Sequence, residues 1–120
     1  MKNSKNVFLE SFIMEFLKKT KYDIFIGLND MQTFKEEMST EEIMRHILNY
    51  FEREGVDFSM SFLDGAYQYE NREFVSEKSL ALNLIGADEA FVHRIGRALK
   101  TLLNQENVLI SKSEVEVMFT

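Results

Sequence analysis

The sequence predicts a single α+β domain of the ferredoxin-like class, with its elements in the chain order βαββαβ. Its four strands form an antiparallel sheet that carries the two helices on one face. Two patterns indicate this fold. Four segments alternate apolar and polar residues with the two-residue period of a strand, and two others repeat apolar residues at helical spacing. A chain of 120 residues, 45% of them hydrophobic, is about one ordinary domain with one core.

An amphipathic helix is expected ahead of this domain, over residues 7–19. Its apolar positions recur every three or four residues, and Lys18 and Lys19 would lie favourably at its negative C-terminal end. The stripe consists of Phe8, Leu9, Phe12, Ile13, Phe16 and Leu17. The expected organisation is therefore an N-terminal helix in residues 1–20 and a ferredoxin-like domain in residues 21–120.

The first half of the domain contains a strand, a helix and a second strand. Residues 22–28 alternate, with isoleucine and leucine on one face, and predict the first strand. Ser39 and Glu42 form a capping box that begins a helix, and Gly55 is a good stop for it. The second strand is expected to begin near Asp57 and to run to about Tyr69.

The second half returns through a hairpin and ends in a helix and a strand. The chain is expected to turn at residues 70–72, and the third strand then runs from Glu73 to Ile85. Asp88 can cap the second helix. Residues 114–119 predict the last strand, with Val115 and Val117 on the face that meets the helices and Glu114, Glu116 and Met118 on the opposite face.

Charge argues against direct nucleic-acid binding. The net charge is −6, and residues 22–120 hold nine basic against eighteen acidic side chains, whereas binders of phosphate backbones cluster Lys and Arg. The chain has no cysteine, which excludes disulfides and thiolate ligands and is compatible with a reducing compartment. No apolar run is long enough to span a membrane, so a cytoplasmic location is expected.

Motifs for chemistry are missing from the sequence. His46 and His93 lie on different predicted helices, and neither has a second ligand at the spacing that a metal site needs. The five glycines are isolated, so no phosphate-binding loop is indicated. We therefore expect no catalytic residue, no metal and no cofactor, and a protein that is not an enzyme.

Two surfaces are candidates for contacts with other proteins. The acidic sheet face and the polar, aromatic hairpin suggest a partner-binding set, because Tyr and Arg are enriched at interfaces. That set is Asp23, Asp57, Tyr67, Tyr69, Arg72, Glu73, Glu77, Glu114 and Glu116. Apolar residues of the N-terminal stripe and the sheet face suggest a homodimer interface. That second set is Phe8, Phe12, Phe16, Phe25, Ile85 and Met118.

Several short motifs resemble a family of small uncharacterised bacterial proteins. The motifs are Phe25-Ile26-Gly27-Leu28, Gly65-x-Tyr67 with Glu77-x-Ser79, and Asn104-Gln105-Glu106-x-Val108-Leu109. The resemblance covers roughly residues 21–120. It implies a ferredoxin-like fold and occurrence on plasmids, phages and conjugative elements. It supplies no catalytic residues, so Gly65, Tyr67, Glu77, Ser79, Gln105 and Glu106 are marked only as matching positions.

Such a setting favours an inhibitor of host defence. Small acidic proteins of mobile elements resemble anti-CRISPR proteins against type II effectors, and an acidic body can compete for a channel built to hold phosphates. The predicted function is therefore a non-enzymatic module that binds and inhibits or regulates a basic nucleic-acid-processing protein. The alternative is a small-ligand-binding or weakly enzymatic domain with its site at a hairpin or dimer cleft near Tyr67 and Glu77.

Overall fold

The computed structural model describes residues 15–120 and contains four strands and two helices in that range. The strands are β1 (Leu17–Gly27), β2 (Ser59–Gln68), β3 (Phe74–Ile85) and β4 (Leu109–Val117). The helices are α1 (Thr40–Glu54) and α2 (Glu89–Leu102). The chain order is βαββαβ, as the sequence predicts.

The four strands form one antiparallel sheet with the spatial order β2-β3-β1-β4. The two central strands are β1, the first strand of the domain, and β3, the second strand of the hairpin. This is the split arrangement of a ferredoxin-like fold. The prediction of the fold class is confirmed. Two registers matter for the site: Gly27 lies opposite Ser79, and Gly65 lies opposite Glu77.

Local signals in the sequence set the limits of the helices. The Ser39 side chain accepts a hydrogen bond from the Glu42 backbone N–H at 3.1 Å and begins α1. Gly55 ends α1 in the left-handed conformation, at φ 67°, which a residue without a Cβ adopts at little cost. Asp88 caps α2 by accepting from the Ala90 backbone N–H at 3.4 Å.

The core lies between the helices and one face of the sheet. Strand residues such as Ile24 and Leu82 are 0% exposed, and the helices contribute Ile47, Phe51 and Ile95 to the same cluster. Burial of this apolar surface is the main stabilising contribution to such a domain. We call the other side of the sheet, which carries Asp23, Phe25, Gly27, Glu77 and Ser79, the open face.

The first strand begins earlier than predicted. Residues 17–19, expected at the end of a helix, belong to β1, where Leu17 pairs with Val117 of β4. Pairing with β4 satisfies backbone groups that a helix would have satisfied internally, and tertiary contacts of this kind override local spacing. Residues 15 and 16 are not helical either, and the rest of the predicted helix, residues 7–14, lies outside the described residues.

The last strand differs from the prediction in both position and facing. It begins at Leu109, and Ile110 lies on the helix side, where a Cβ built on Gly96 of α2 would be 3.1 Å from the Ile110 Cδ1. Alternation then places Glu114 and Glu116 on the helix side and the valines on the open face, the reverse of the expected facing. The contact between Ile110 and α2 is long-range, and local alternation does not contain it.

No helix within residues 15–120 is long and apolar enough to cross a membrane. A cytoplasmic location stays a prediction.

Candidate functional site

A small cleft at one end of the open face brings together buried polar and aromatic side chains. Its volume is about 120 Å³, and five parts of the chain contribute to it: the end of β1, the loop after β1, the β2–β3 hairpin, the loop after α2 and the start of β4. It is lined by Phe25, Gly27, Met31, Tyr67, Gln68, Tyr69, Glu77, Gln105, Glu106, Asn107 and Leu109. We refer to it as the hairpin cleft.

Other hollows are larger but chemically plainer. One of about 170 Å³ lies between the helices and is lined by His46, Tyr50 and aliphatic side chains. Another of about 600 Å³, at the far end of the open face, is wide and is lined by five apolar side chains together with Lys19, Asp57, Ser59 and Asn83. Neither contains a buried charged side chain, whereas the hairpin cleft contains Glu77, which is 7% exposed. A buried ionisable group in a cleft is a better indicator of function than volume.

Glu77 is held at both carboxylate oxygens. One oxygen accepts a hydrogen bond from the backbone N–H of Asn29 at 2.8 Å, and the other accepts from the hydroxyl of Tyr69 at 3.2 Å. A carboxylate is an acceptor at both oxygens, so the two donors match its ionised form. The structure therefore holds a negative charge in a fixed position in the cleft.

Tyr69, which donates a hydrogen bond to this carboxylate, is itself buried. The side chain is 7% exposed, and its ring stacks on Phe34 with centroids 6.1 Å apart. Burial, and then the negative charge of Glu77, raise the pKa of the Tyr69 phenol above its usual value. The hydroxyl thus keeps its proton over a wide pH range and remains a donor to Glu77.

Tyr67 lies beside Glu77 and also faces the cleft. Its hydroxyl is hydrogen-bonded to the hydroxyl of Ser79, which is 2% exposed, and either oxygen can be the donor. The ring passes over Gly65, where a Cβ would be 3.0 Å from the Tyr67 hydroxyl and 2.7 Å from the Ser79 Oγ. One edge of the cleft is therefore an aromatic ring with a polar tip.

The loops around the cleft are fastened to one another. The Gln105 side-chain amide donates to the backbone carbonyl of Asn29, the same residue whose N–H holds Glu77. The Met31 backbone N–H donates to the Asn104 carbonyl at 3.1 Å, and the Asn104 side chain donates to Asp30 at 3.1 Å. These bonds give the carboxylate a rigid support, which a preorganised site requires.

The cleft has a strongly one-sided charge. Glu77 and Glu106 line it, and within residues 15–120 none of the lining side chains is Lys, Arg or His. Two carboxylates in a partly buried hollow attract a cation and disfavour a phosphate or carboxylate ligand. Over the same part of the chain, no group of three or more acidic or histidine side chains is arranged to hold a metal ion.

The structure brings together only part of the partner-binding set. Tyr67, Tyr69 and Glu77 line the hairpin cleft. Arg72 and Glu73 are exposed at the tip of the hairpin and do not line the cleft. The other acidic members are dispersed: Asp23 is bound by Asn83 and Lys21, Asp57 borders the hollow at the far end, and Glu114 and Glu116 lie on the helix side.

The oligomer set is also divided. Phe25 lines the hairpin cleft, whereas Ile85 and Met118 border the hollow at the far end of the open face. Phe16 is 63% exposed, and Phe8 and Phe12 lie outside the described residues. The homodimer stays a prediction.

Two contributors to the site had no signal in the sequence. Asn29 acts through its backbone N–H, a group that every residue but proline carries, and Met31 lines the cleft because of the path of its loop. By contrast, the six positions marked by family resemblance all lie at or beside the cleft. Four of them line it. The Ser79 hydroxyl is hydrogen-bonded to the Tyr67 hydroxyl, and a Cβ built on Gly65 would be 3.0 Å from that same hydroxyl.

Comparison with solved structures finds the same fold in structures of phage SAM lyase, among them a ligand complex and an apo state. A phage SAM lyase in complex with S-methyl-5'-thioadenosine matches with a TM-score of 0.66 and 19% sequence identity, over 84% of this chain and 90% of that one. A phage SAM lyase in the apo state matches with a TM-score of 0.59 and 21% identity, over 85% and 90%. No family model matches the chain, and a search of curated proteins finds no match either.

These neighbours contradict the prediction of a non-enzymatic, anti-CRISPR-like inhibitor. Both are named as enzymes, and one holds a small molecule. The acidic residues on which that prediction depended do not form a single face, whereas three residues of the partner-binding set line one small cleft. The phage origin of the neighbours agrees with the resemblance to small proteins of mobile elements, but an anti-CRISPR role receives no support.

Proposed function

We propose that this protein is an enzyme that binds S-adenosylmethionine (SAM) with its sulfonium in the hairpin cleft and cleaves it to S-methyl-5'-thioadenosine. The observation that carries the proposal is the pair of carboxylates, Glu77 and Glu106, in a cleft without a cationic side chain among the described residues. SAM carries a sulfonium and an ammonium against one carboxylate, so it is a small organic cation overall, and its sulfonium is the part that such a cleft attracts. Solved neighbours with this fold include two structures of phage SAM lyase.

The proposed cleavage of SAM balances without a co-reactant. The bond between the sulfonium sulfur and the four-carbon amino-acid chain breaks, and its electron pair goes to sulfur, which leaves as a neutral thioether. The carbon chain either loses a neighbouring proton or bonds to its own carboxylate oxygen. Ring closure places all atoms of SAM in two products and releases no proton, whereas proton loss gives two products and one proton that passes to water; neither route needs a cofactor.

The chain's own groups would bind and orient the substrate. Glu77, fixed by Asn29 and Tyr69, supplies a negative charge beside the sulfonium, and the Tyr67 ring offers an aromatic face to the same cation. At about 120 Å³ the cleft is smaller than the roughly 300–1,000 Å³ of typical ligand pockets. It therefore accommodates the sulfonium end, and the adenosine extends over Phe25 and the 63% exposed Leu109. A second copy of the chain on this face would complete the enclosure.

The proposal is tested by incubating purified protein with SAM and following S-methyl-5'-thioadenosine by chromatography and mass spectrometry. A sample without protein measures spontaneous decomposition. The four-carbon products of proton loss and ring closure are isomers of the same mass, so NMR spectra and chromatographic retention against authentic standards distinguish the two routes. Calorimetry with SAM and with S-adenosylhomocysteine, whose sulfur is uncharged, measures the preference for the cation. Product formation at the background rate together with no SAM binding would overturn the proposal, and binding without cleavage would overturn its catalytic part.

A further inference from the structure

We infer that Gly27 is a positioning residue of the hairpin cleft: the lack of a side chain at this point in β1 lets the Glu77 carboxylate lie across the sheet and face the ligand. The inference rests on the proposed function for the identity of the ligand. The dependence of the Glu77 position on Gly27 is a matter of geometry and does not rest on the proposed function.

The space above Gly27 is already occupied by Glu77. A Cβ built on Gly27 would lie 2.5 Å from Glu77 Oε1, 2.7 Å from its Cδ and 2.9 Å from its Oε2. All three distances are below the van der Waals contact of carbon with these atoms, so any other residue at position 27 forces the carboxylate to move. The whole carboxylate, and not a single atom, is in contact with this position.

The glycine is needed for its space and not for its backbone conformation. Gly55 and Gly86 are the glycines with positive φ, and Gly27 is not among them. Its backbone belongs to a regular strand, paired with Ser79 on one side, and an alanine could adopt it. Glycine inside a strand is ordinarily unfavourable and marks a close approach of another group. Here the approaching group is the Glu77 carboxylate.

Displacement of this carboxylate would not be harmless. Its oxygens are held by the Asn29 N–H at 2.8 Å and the Tyr69 hydroxyl at 3.2 Å, and Glu77 is 7% exposed. A movement large enough to admit a Cβ breaks one or both of these bonds and leaves buried donors without a partner. It also moves the negative charge away from the place that the loops hold for it. Gly27 thus acts on the ligand through Glu77.

The test compares Gly27→Ala in two backgrounds, the natural chain and Glu77→Ala, by thermal unfolding without ligand. In the natural background Gly27→Ala is expected to lower the unfolding midpoint. In the Glu77→Ala background the clash is gone, and the same change is expected to leave the midpoint unchanged or to raise it, since alanine is less costly than glycine in a strand. Equal decreases in both backgrounds would overturn the inference.

Ligand binding provides the readout that a merely structural role would not change. Gly27→Ala is expected to weaken SAM binding by about tenfold or more and to change the affinity for the uncharged S-methyl-5'-thioadenosine by less than about twofold. Gly96→Ala is the matched control: its Cβ would meet Ile110 at 3.1 Å in the core, away from the cleft, and SAM affinity should be retained. Equal losses for both ligands would overturn the inference.

The two experiments separate the inference from the proposed function. If the natural protein does not bind SAM, the proposed function fails, and the unfolding comparison still decides whether Gly27 positions Glu77. If the natural protein binds SAM but the effects of Gly27→Ala are the same in both backgrounds, the inference fails and the proposed function stands.

Discussion

Replacement of Glu77 by glutamine tests the central feature of the site, because it removes a charge and keeps the size of the side chain. Glutamine has one acceptor oxygen and one NH2 group. The oxygen can accept from the Asn29 N–H, and the Tyr69 hydroxyl can turn and accept from the NH2. Both hydrogen bonds can therefore survive in neutral form.

The cost in stability is small by this reasoning. A hydrogen bond to a charged group contributes about 1.5–3 kcal/mol and a neutral one about 0.5–1.5 kcal/mol, so two bonds lose roughly 2 kcal/mol. Relief from burying a charge offsets part of this loss. We expect a net destabilisation of about 1 kcal/mol, which corresponds to a fall of roughly 3–5 °C in Tm for a domain of this size.

The cost in SAM binding is larger. Two unit charges about 4 Å apart attract by about 4 kcal/mol at an effective dielectric constant of about 20. Desolvation of both groups reduces this to roughly 1.5–3 kcal/mol, which is about a 10- to 150-fold loss of affinity. S-methyl-5'-thioadenosine carries no charge at sulfur, so its affinity should change by less than about threefold.

Titration calorimetry with both ligands at low and moderate salt measures this difference. Glu73→Gln is the matched control, since it removes the same charge from an exposed position at the hairpin tip, outside the cleft. The reasoning is refuted if Glu77→Gln binds SAM as tightly as the natural protein does. It is equally refuted if the affinities for SAM and S-methyl-5'-thioadenosine fall by the same factor.

Three further predictions concern stability. Ser39→Ala removes the cap of α1 and should cost about 1 kcal/mol in denaturant unfolding without changing SAM affinity, whereas a loss above about 2 kcal/mol would mean that Ser39 does more than cap. Leu82→Ala, at a site 0% exposed, should cost about 2–5 kcal/mol, and a loss below about 1 kcal/mol would contradict the tight core. Burial and the charge of Glu77 raise the pKa of Tyr69, so the folded state holds this proton more tightly than the unfolded chain does. The stability that this gives is complete below about pH 10 and is lost as the pH rises through the folded pKa. Thermal unfolding measured from pH 8 to 11 should show that decline, and Tyr69→Phe should reduce it. An unchanged decline would assign it to other groups, among them Tyr22, whose pKa burial also raises.

The fold was predictable because most of its information is local. Strands β1, β2 and β3 face the core with the residues that alternation selects, and Ser39, Gly55 and Asp88 limit the helices as their side chains dictate. The errors lie where local patterns are ambiguous. The valines of β4 alternate equally well with either facing, and only the contact of Ile110 with α2 decides between them.

The site was predictable only in part, for a physical reason. Tyr67 and Glu77 were recognisable as polar residues of a hairpin, but a sequence does not show that Glu77 is buried and bound at both oxygens. Its partners are a backbone N–H 48 positions away and a tyrosine 8 positions away. Gly27 belonged to a motif of the family resemblance, but its role was not visible in the sequence, because the group that needs its empty space belongs to another strand.

The acidic side chains of this protein act on a ligand in two ways, through the long-range field of the whole surface and through direct contacts in the cleft. A net charge of −6 suggests a body that competes with phosphates, and that effect should weaken steeply with salt because its charges are far apart and solvated. The structure disperses most of these charges and concentrates two carboxylates in one partly buried cleft. Contacts inside such a cleft are screened much less. Binding of SAM that persists at moderate salt would therefore identify Glu77 and its cleft, and not the overall charge, as the source of the affinity. Binding that weakens steeply as the ionic strength rises would instead identify the overall surface charge as the source of the affinity.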